Sequence, residues 1–328
     1  MAITHTQTFY QQISQNRRRS VLLVFVVAAL LGALGFAIGY AFGGNVSSAV
    51  VAVVIAVSVA ALLSAGSYYA GDKLVLATSG AKEVTEQQAP QVIDVVRELT
   101  IAANIPMPKV YIIDDTAPNA FATGRDPQHA SIAITTGLLQ KLNREELQGV
   151  IGHELSHVRN YDIRFTLLVG VLVGSIALLA DFFLRFTFWG GMSGRRSRDS
   201  NGGGAQAVFL VIALILAVLA PIFASLVQLA VSRQREYLAD ASSVELTRNP
   251  YGLERALAKI AADPEPLEVA NRATQHLYIV NPLKKLGERS SGLFQTHPPI
   301  LDRINRLRQM TGEAPVDPAT AQALTGLD

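Results

Sequence analysis

The stretch Gly152-His153-Glu154-Leu155-Ser156-His157 decides how the chain is read. It is an H-E-x-x-H pattern inside a run, 143–158, that carries the signs of a helix. Asn143 can cap that helix, and Glu146 falls at its third position, the pairing of a capping box. Residues four apart share a helix face, so His153 and His157 can aim ring nitrogens at one ion. Glu154 stands one step round the helix, where a carboxylate can poise over a metal-bound water without occupying the metal. Zinc brings the pKa of such a water to about 7. The pattern fixes only three residues, so chance is the competing reading. Against it, Val150, Ile151, Leu155 and Val158 place the motif on a part-buried helix, and two of the six histidines lie within it.

Outward from this helix, the composition is that of a membrane protein. Half of the 328 residues are hydrophobic and only 16% are charged. The deficit of charge is local, in four runs at 20–45, 46–70, 165–189 and 205–232. Each reaches the roughly 20 residues needed to span a bilayer. Asp181 and Arg185 interrupt the third, and four apart on a helix they can pair with each other. Core helices of a soluble all-α protein are the alternative, which four uncharged runs of this length disfavour. With no cysteine, disulfides, cysteine-based zinc sites and thiol catalysis are excluded. A net charge of +2 gives no sign of a nucleic-acid partner.

Arg17-Arg18-Arg19 abuts the first apolar run, which is too long for a signal peptide and reads as a retained anchor. The positive-inside rule places these arginines, and the segment 1–19, in the cytoplasm. A hairpin over 20–70, turning at a Gly-Gly-Asn link, returns the chain there near Gly71-Asp72-Lys73. Composition from 71 to 164 is that of a soluble domain. Within it, 88–104 reads as an amphipathic helix with Val92, Val95, Val96 and Leu99 on one side, and 109–114 and 130–135 read as strands. The stretch 117–127 between them reads as turn, with Pro118, Asn119, Gly124 and Pro127. The strand at 130–135 is either a ledge to which an extended peptide could add or simply structural. A second hairpin, 165–231, is joined through a Gly/Ser-rich loop at 190–204 that holds Arg195, Arg196 and Arg198. If this hairpin crosses fully, those arginines face outward against the usual bias; otherwise the hairpin does not fully cross.

The fourth run leads without a breaker into Arg235-Glu236-Tyr237-Leu238-Ala239-Asp240. A catalytic zinc commonly takes three protein ligands and keeps an open position, as in a His₂Glu site. Glu236 is the candidate third ligand. Asp240, one turn on, can hydrogen-bond a ligand histidine and fix its ring. A solvated charged flank is the plain alternative for both.

With these residues in hand, the sequence resembles the HtpX-type membrane zinc metalloproteases, gluzincins related to the CAAX prenyl-protein endopeptidases. The likeness rests on H-E-L-S-H and E-Y-L-A-D, on Pro118-Asn119-Ala120-Phe121-Ala122-Thr123-Gly124, on Ile279-Val280-Asn281-Pro282, and on Thr296-His297-Pro298-Pro299 followed by Arg303-Ile304. It runs from Arg17 to about Met310. The resemblance implies one zinc ion per chain held by His153, His157 and Glu236, Glu154 as catalytic base, and Asp240 as support. It implies His297 as a catalytic residue that helps stabilise the tetrahedral intermediate; capping of a helix over 298–310 explains that histidine equally well. Arg303 is expected on the charged face of that helix, although bracing Glu154 or the substrate is the other reading. His5, His129 and His276 have no partner at ligand spacing.

The expected architecture is therefore an α-helical membrane protein with an α+β zincin-like metalloprotease domain and about four transmembrane helices. The domain is assembled from 71–164 and 232–310, with the hairpin 165–231 inserted and a tail at 311–328. The expected location is the cytoplasmic (inner) membrane, with the active site facing the cytoplasm. Partners are the lipid bilayer and polypeptide substrates, misfolded or damaged membrane proteins in a stress response of envelope quality control; oligomeric state is left open. Three rivals stand beside this reading: an intramembrane protease, a zinc transporter or scaffold, and a prenyl-protein processing enzyme.

Overall fold

The computed structural model describes residues 9–189, 203–263, 265, 267, 278–279 and 298–316. The elements in chain order are α1 (Phe9–Gly43), α2 (Val46–Thr78), β1 (Lys82–Glu83), α3 (Pro90–Ala103), β2 (Lys109–Ile113), β3 (Ala120–Gly124), β4 (Ala130–Thr135), α4 (Thr136–Lys141), α5 (Arg144–Arg159), α6 (Asp162–Trp189), α7 (Gly203–Thr247), α8 (Pro250–Ala262) and α9 (Ile300–Thr311). They fall into two compact units, one of Arg17–Ser67 and Thr166–Val231, the other of Met1–Asn16, Tyr68–Phe165 and Ser232–Asp328. The protein is an α-helical membrane protein with an α+β domain.

Among the described residues, four helical segments are long and apolar enough to cross a membrane: Val24–Gly43, Val46–Thr78, Asp162–Phe188 and Gly204–Leu226. In the first unit the link between α1 and α2 turns at Gly44, whose φ of 69° is one that glycine adopts without penalty. Asn45 then caps α2 by accepting from the Ser48 N–H at 2.8 Å. On α6, Arg185 Nε donates to Asp181 at 2.7 Å, the pairing that lets both charges sit near the end of an apolar helix. The expected return of the chain near Gly71-Asp72-Lys73 falls within α2, which runs on to Thr78. One glycine costs a helix only about 1 kcal/mol, too little to stop a run this long.

In the other unit a four-stranded sheet has the order β1-β2-β4-β3. β2 and β4 are parallel, while β3 pairs antiparallel with β4 from Ala120↔Ile134 to Gly124↔Ala130. One expectation changes here and one choice is settled. The stretch read as turn contains β3, and β4 is an interior strand with both edges taken, so it offers no ledge. The edge belongs to β3. All five of its residues are buried, Phe121 among them, so no polar alternation announces it.

α3 buries Val92, Val95, Val96 and Leu99 against α5, as their spacing predicts. α5 is capped at Asn143 in a full capping box with Glu146. It is crossed by α8 at backbone distance. A Cβ on Gly149 would lie 2.5 Å from the Leu253 nitrogen, and one on Gly252 would lie 2.5 Å from the Glu145 carbonyl oxygen. Ser243 on α7 donates to the Gly149 carbonyl at 2.6 Å, so α5 is pinned on a second side. Leu147, Val150, Ile151, Leu155, Leu253 and Leu257 close the core between them. The H-E-x-x-H helix is thus gripped over its whole length before any of its polar groups is considered.

Candidate metal centre

α5 presents His153 and His157 on one face, and α7 brings Glu236 to them across the core. The candidate ligand groups lie close together. His153 Nε2 and His157 Nε2 are 3.2 Å apart, one Glu236 oxygen, Oε1, lies 3.5 Å from His157 Nε2, and the other, Oε2, lies 3.6 Å from His153 Nε2. One donor atom from each residue can be chosen so that all three lie within 4.8 Å of one another, close enough to hold one ion. The rings stand at 90° to each other.

What turns the rings is at their far nitrogens. Asp240 Oδ1 lies 3.0 Å from His153 Nδ1, and Asp162 Oδ2 lies 3.1 Å from His157 Nδ1. A neutral imidazole has one N–H; given to a carboxylate at Nδ1, it leaves the Nε2 lone pair free for a metal.

Arg303 departs from its expected place on a solvated face. It is 0% exposed, and its guanidinium is fully used. Nε and Nη2 donate to the two oxygens of Asp240 at 2.9 and 2.6 Å, Nη1 donates to the Ile279 carbonyl at 2.9 Å, and Nη1 lies 3.3 Å from Glu236 Oε2. Burial alone would raise the Asp240 carboxyl, but Arg303 outweighs it and holds the group below its ordinary range.

Glu154 is buried beside the candidate ligands, where the Ala122 backbone on the outer edge of β3 favours its charged form. Burial pushes its carboxyl up, against the pull of His153 and His157. A carboxyl moved in that direction is better placed to accept and return a proton near neutral pH. The carboxylates in this cluster are Glu154, Glu236, Asp240 and Asp162, and the guanidiniums are Arg303 and Arg235. With neutral imidazoles, two negative charges remain, which a dication balances. Donor set, spacing and charge all fit a divalent metal.

The sequence model of peptidase family M48 matches residues 86–311, a span that holds every residue of this cluster. The chain belongs to peptidase family M48. It is 46% identical over 307 residues to the protease HtpX homolog of Streptococcus uberis, covering 92% of this chain and 99% of that protein. Protease HtpX homologs of Ligilactobacillus salivarius (46% over 301 residues) and Thermoanaerobacter pseudethanolicus (43% over 305 residues) align over 92% and 93% of this chain and 99% of their own lengths. The protein is a membrane-associated metallopeptidase with a metal cofactor and polypeptide substrates. Membership of a peptidase family sets aside the transporter or scaffold reading.

The M48 span also locates the remaining candidates. Asn119 is buried, and its own N–H donates to Thr135 Oγ1 at 2.9 Å, which ties the start of β3 to β4. His129 is exposed and bonds Asp126 at 2.7 Å, away from the metal cluster. His297 lies outside the described residues, as do the arginines of the 190–204 loop. Sequence reasoning missed Asp162 as a partner of His157, and Arg303 as a buried one. Helical spacing could not reach Asp162, which lies beyond the end of α5. A signal for Arg303 did exist, in its place six residues after His297 in a quoted motif.

Proposed function

We propose that this M48 peptidase is a zinc endopeptidase of the cytoplasmic membrane, with its active site facing the cytoplasm. His153, His157 and Glu236 hold one zinc ion, Glu154 is the general base, and Asp240 supports His153. The observation that carries this reading is the spacing of the ligand atoms. A tetrahedral ion bound at about 2.0–2.1 Å sets its ligands about 3.3–3.4 Å apart. The two histidine nitrogens are 3.2 Å apart, and each has its own Glu236 oxygen at 3.5 or 3.6 Å, so a small turn of the carboxylate completes such a set. Zinc, when bound, supplies Lewis acidity, making water nucleophilic near neutral pH and polarising a carbonyl.

The chain's own residues do the rest. Glu154 takes a proton from the attacking water and returns it to the nitrogen of the leaving amine. The Ala122 backbone favours that carboxylate beside β3, and an extended substrate backbone would add along the edge beyond Ala120, whose carbonyl already accepts from the Ile279 N–H at 3.0 Å. His297 is the candidate donor to the developing oxyanion. The catalytic domain comprises 71–164 and 232–310, and the hairpins 20–70 and 165–231 anchor it.

The helix bearing the motif, Arg144–Arg159, lies outside all four candidate spans, which favours a site beside the bilayer over an intramembrane one. Four spans also provide less wall than an enclosed chamber for prenyl-protein processing needs. The proposed substrates are misfolded or damaged membrane proteins. Purified protein should cleave an unfolded membrane protein in detergent, lose that activity to a chelator, and regain it with zinc. Equal cleavage of the folded form of the same substrate would count against the quality-control role; failure of zinc to restore activity would count against the metal.

A further inference from the structure

The chain leaves α5 through Asn160 and Tyr161, and Tyr161 sits in the left-handed region at φ 59°. That turn swings the first residue of α6, Asp162, back toward the helix just left. One carboxylate oxygen of Asp162, Oδ2, lies 3.1 Å from His157 Nδ1. The other, Oδ1, lies 2.8 Å from Arg235 Nη1. The same Nη1 is 3.3 Å from the Asp162 main-chain carbonyl, so the arginine holds both the side chain and the backbone of one residue. Its guanidinium in turn rests on the Phe165 ring, 3.7 Å from the centroid. Asp162 and Arg235 are only 4% and 6% exposed.

We propose that Asp162, locked by Arg235, is the positioning residue for His157, setting its ring so that Nε2 faces the metal. The inference rests on the reading of His153, His157 and Glu236 as ligands. The chemistry is that of a relay. The carboxylate takes the single N–H of a neutral imidazole, which fixes the tautomer and the ring plane and makes Nε2 a better donor. A carboxylate so deeply buried is stable only with a counter-charge and full hydrogen bonding, and Arg235 provides both. The arrangement repeats, with different residues, what Asp240 and Arg303 do for His153.

The position of Arg235 adds a second consequence. It immediately precedes Glu236, so the clamp and the third ligand share one peptide step of α7. Asp162, for its part, opens α6, which enters an apolar run three residues later. The pair therefore joins the histidine of α5 to the carboxylate of α7 through two side chains. Metal affinity is set in part by residues that touch no metal.

The test is made on the full chain in detergent, stripped with chelator and titrated with zinc against a competing chromogenic chelator. Cobalt(II) absorption reports ligand geometry in parallel. Asp162→Ala should weaken zinc binding about 10–100-fold and change the cobalt spectrum. Asp162→Asn keeps an acceptor for the ring N–H but not the charge, and should fall between Asp162→Ala and wild type. If Asp162→Ala does not fold, as circular dichroism of the metal-free protein will tell, Asp162→Asn carries the test. Arg235→Met alone should weaken binding. Added to Asp162→Asn it should cost little more, because the two act as one unit. Zinc affinity within about twofold of wild type and an unchanged cobalt spectrum in the Asp162 variants overturn the proposal. So does full additivity of the two substitutions. If wild type itself binds neither zinc nor cobalt, the ligand assignment falls first and the positioning role with it.

Discussion

Arg303 Nη2 lies 2.6 Å from Asp240 Oδ1, and the arginine is completely shielded from solvent. The pair spans 63 residues of sequence and binds α9 to α7 directly behind His153. Because Asp240 Oδ1 also lies 3.0 Å from His153 Nδ1, α9 braces the candidate metal centre.

Removing Arg303 should therefore be costly in two ways. Arg303→Ala leaves the buried Asp240 carboxylate with the His153 ring but no guanidinium, a loss of up to about 3–5 kcal/mol. Arg303→Lys keeps the charge but cannot grip both carboxylate oxygens and the Ile279 carbonyl, so it should rescue only part of the stability. Thermal melts of the metal-free proteins check this. Lysine restoring the wild-type midpoint would show that charge alone suffices.

The crossing of α5 and α8 makes a steric prediction. A methyl at Gly149 meets the backbone of α8, which cannot swing aside as a side chain can. Gly149→Ala should destabilise the domain by about 1–3 kcal/mol through overpacking. Gly170→Ala, where a Cβ meets nothing within 4 Å, is the control and should be near neutral. The comparison is a denaturant midpoint in detergent.

Metal binding should depend on pH with a definite sign. In the metal-free protein burial works against a charge on His157, but Asp162 and Glu236 outweigh it and push the imidazole up to about 10. Its unfolded value is about 6.5. A raised folded pKa stabilises the metal-free fold fully below about 6.5, and that contribution is lost as pH rises toward about 10. Zinc needs the neutral ring and must displace the proton, so its affinity should rise about tenfold per pH unit for each proton released. The melting-temperature gap between zinc-loaded and chelator-treated protein should widen from pH 6 to 8. A constant or narrowing gap contradicts this electrostatic picture.

How far the sequence could be read follows from where each signal lies. α5 was legible because its capping residues, its apolar face and its two histidines are all local. The apolar helices were legible because a bilayer demands length. Glu236 and Asp240 could be placed on one face because α7 continues unbroken to Thr247. β3 was hidden by its surroundings. Pro118, Asn119 and Gly124 punctuate it, and a strand buried along its length shows no alternation. α8 was overlooked although Asn249 and Pro250 announce its start, the asparagine accepting from the Tyr251 N–H at 3.1 Å. Arg303, among Asp302, Arg306 and Arg308, looks like one more charge on a wet face; only its contact with Asp240 reveals otherwise. Asp162 needed the left-handed turn at Tyr161, which no helical period foretells.

The central claim is that His153, His157 and Glu236 hold the metal while Glu154 moves the proton. It is met most directly by pairing wild type with Glu154→Gln and measuring both bound zinc and cleavage of casein. The amide keeps the size of the side chain and can still face Ala122, but it cannot accept a proton as a base. Both proteins should hold about one zinc per chain, and only wild type should cleave, with activity down at least about a hundredfold in the variant. Cleavage by Glu154→Gln at the wild-type rate, or absence of zinc from a wild-type protein given zinc in excess, would contradict the account.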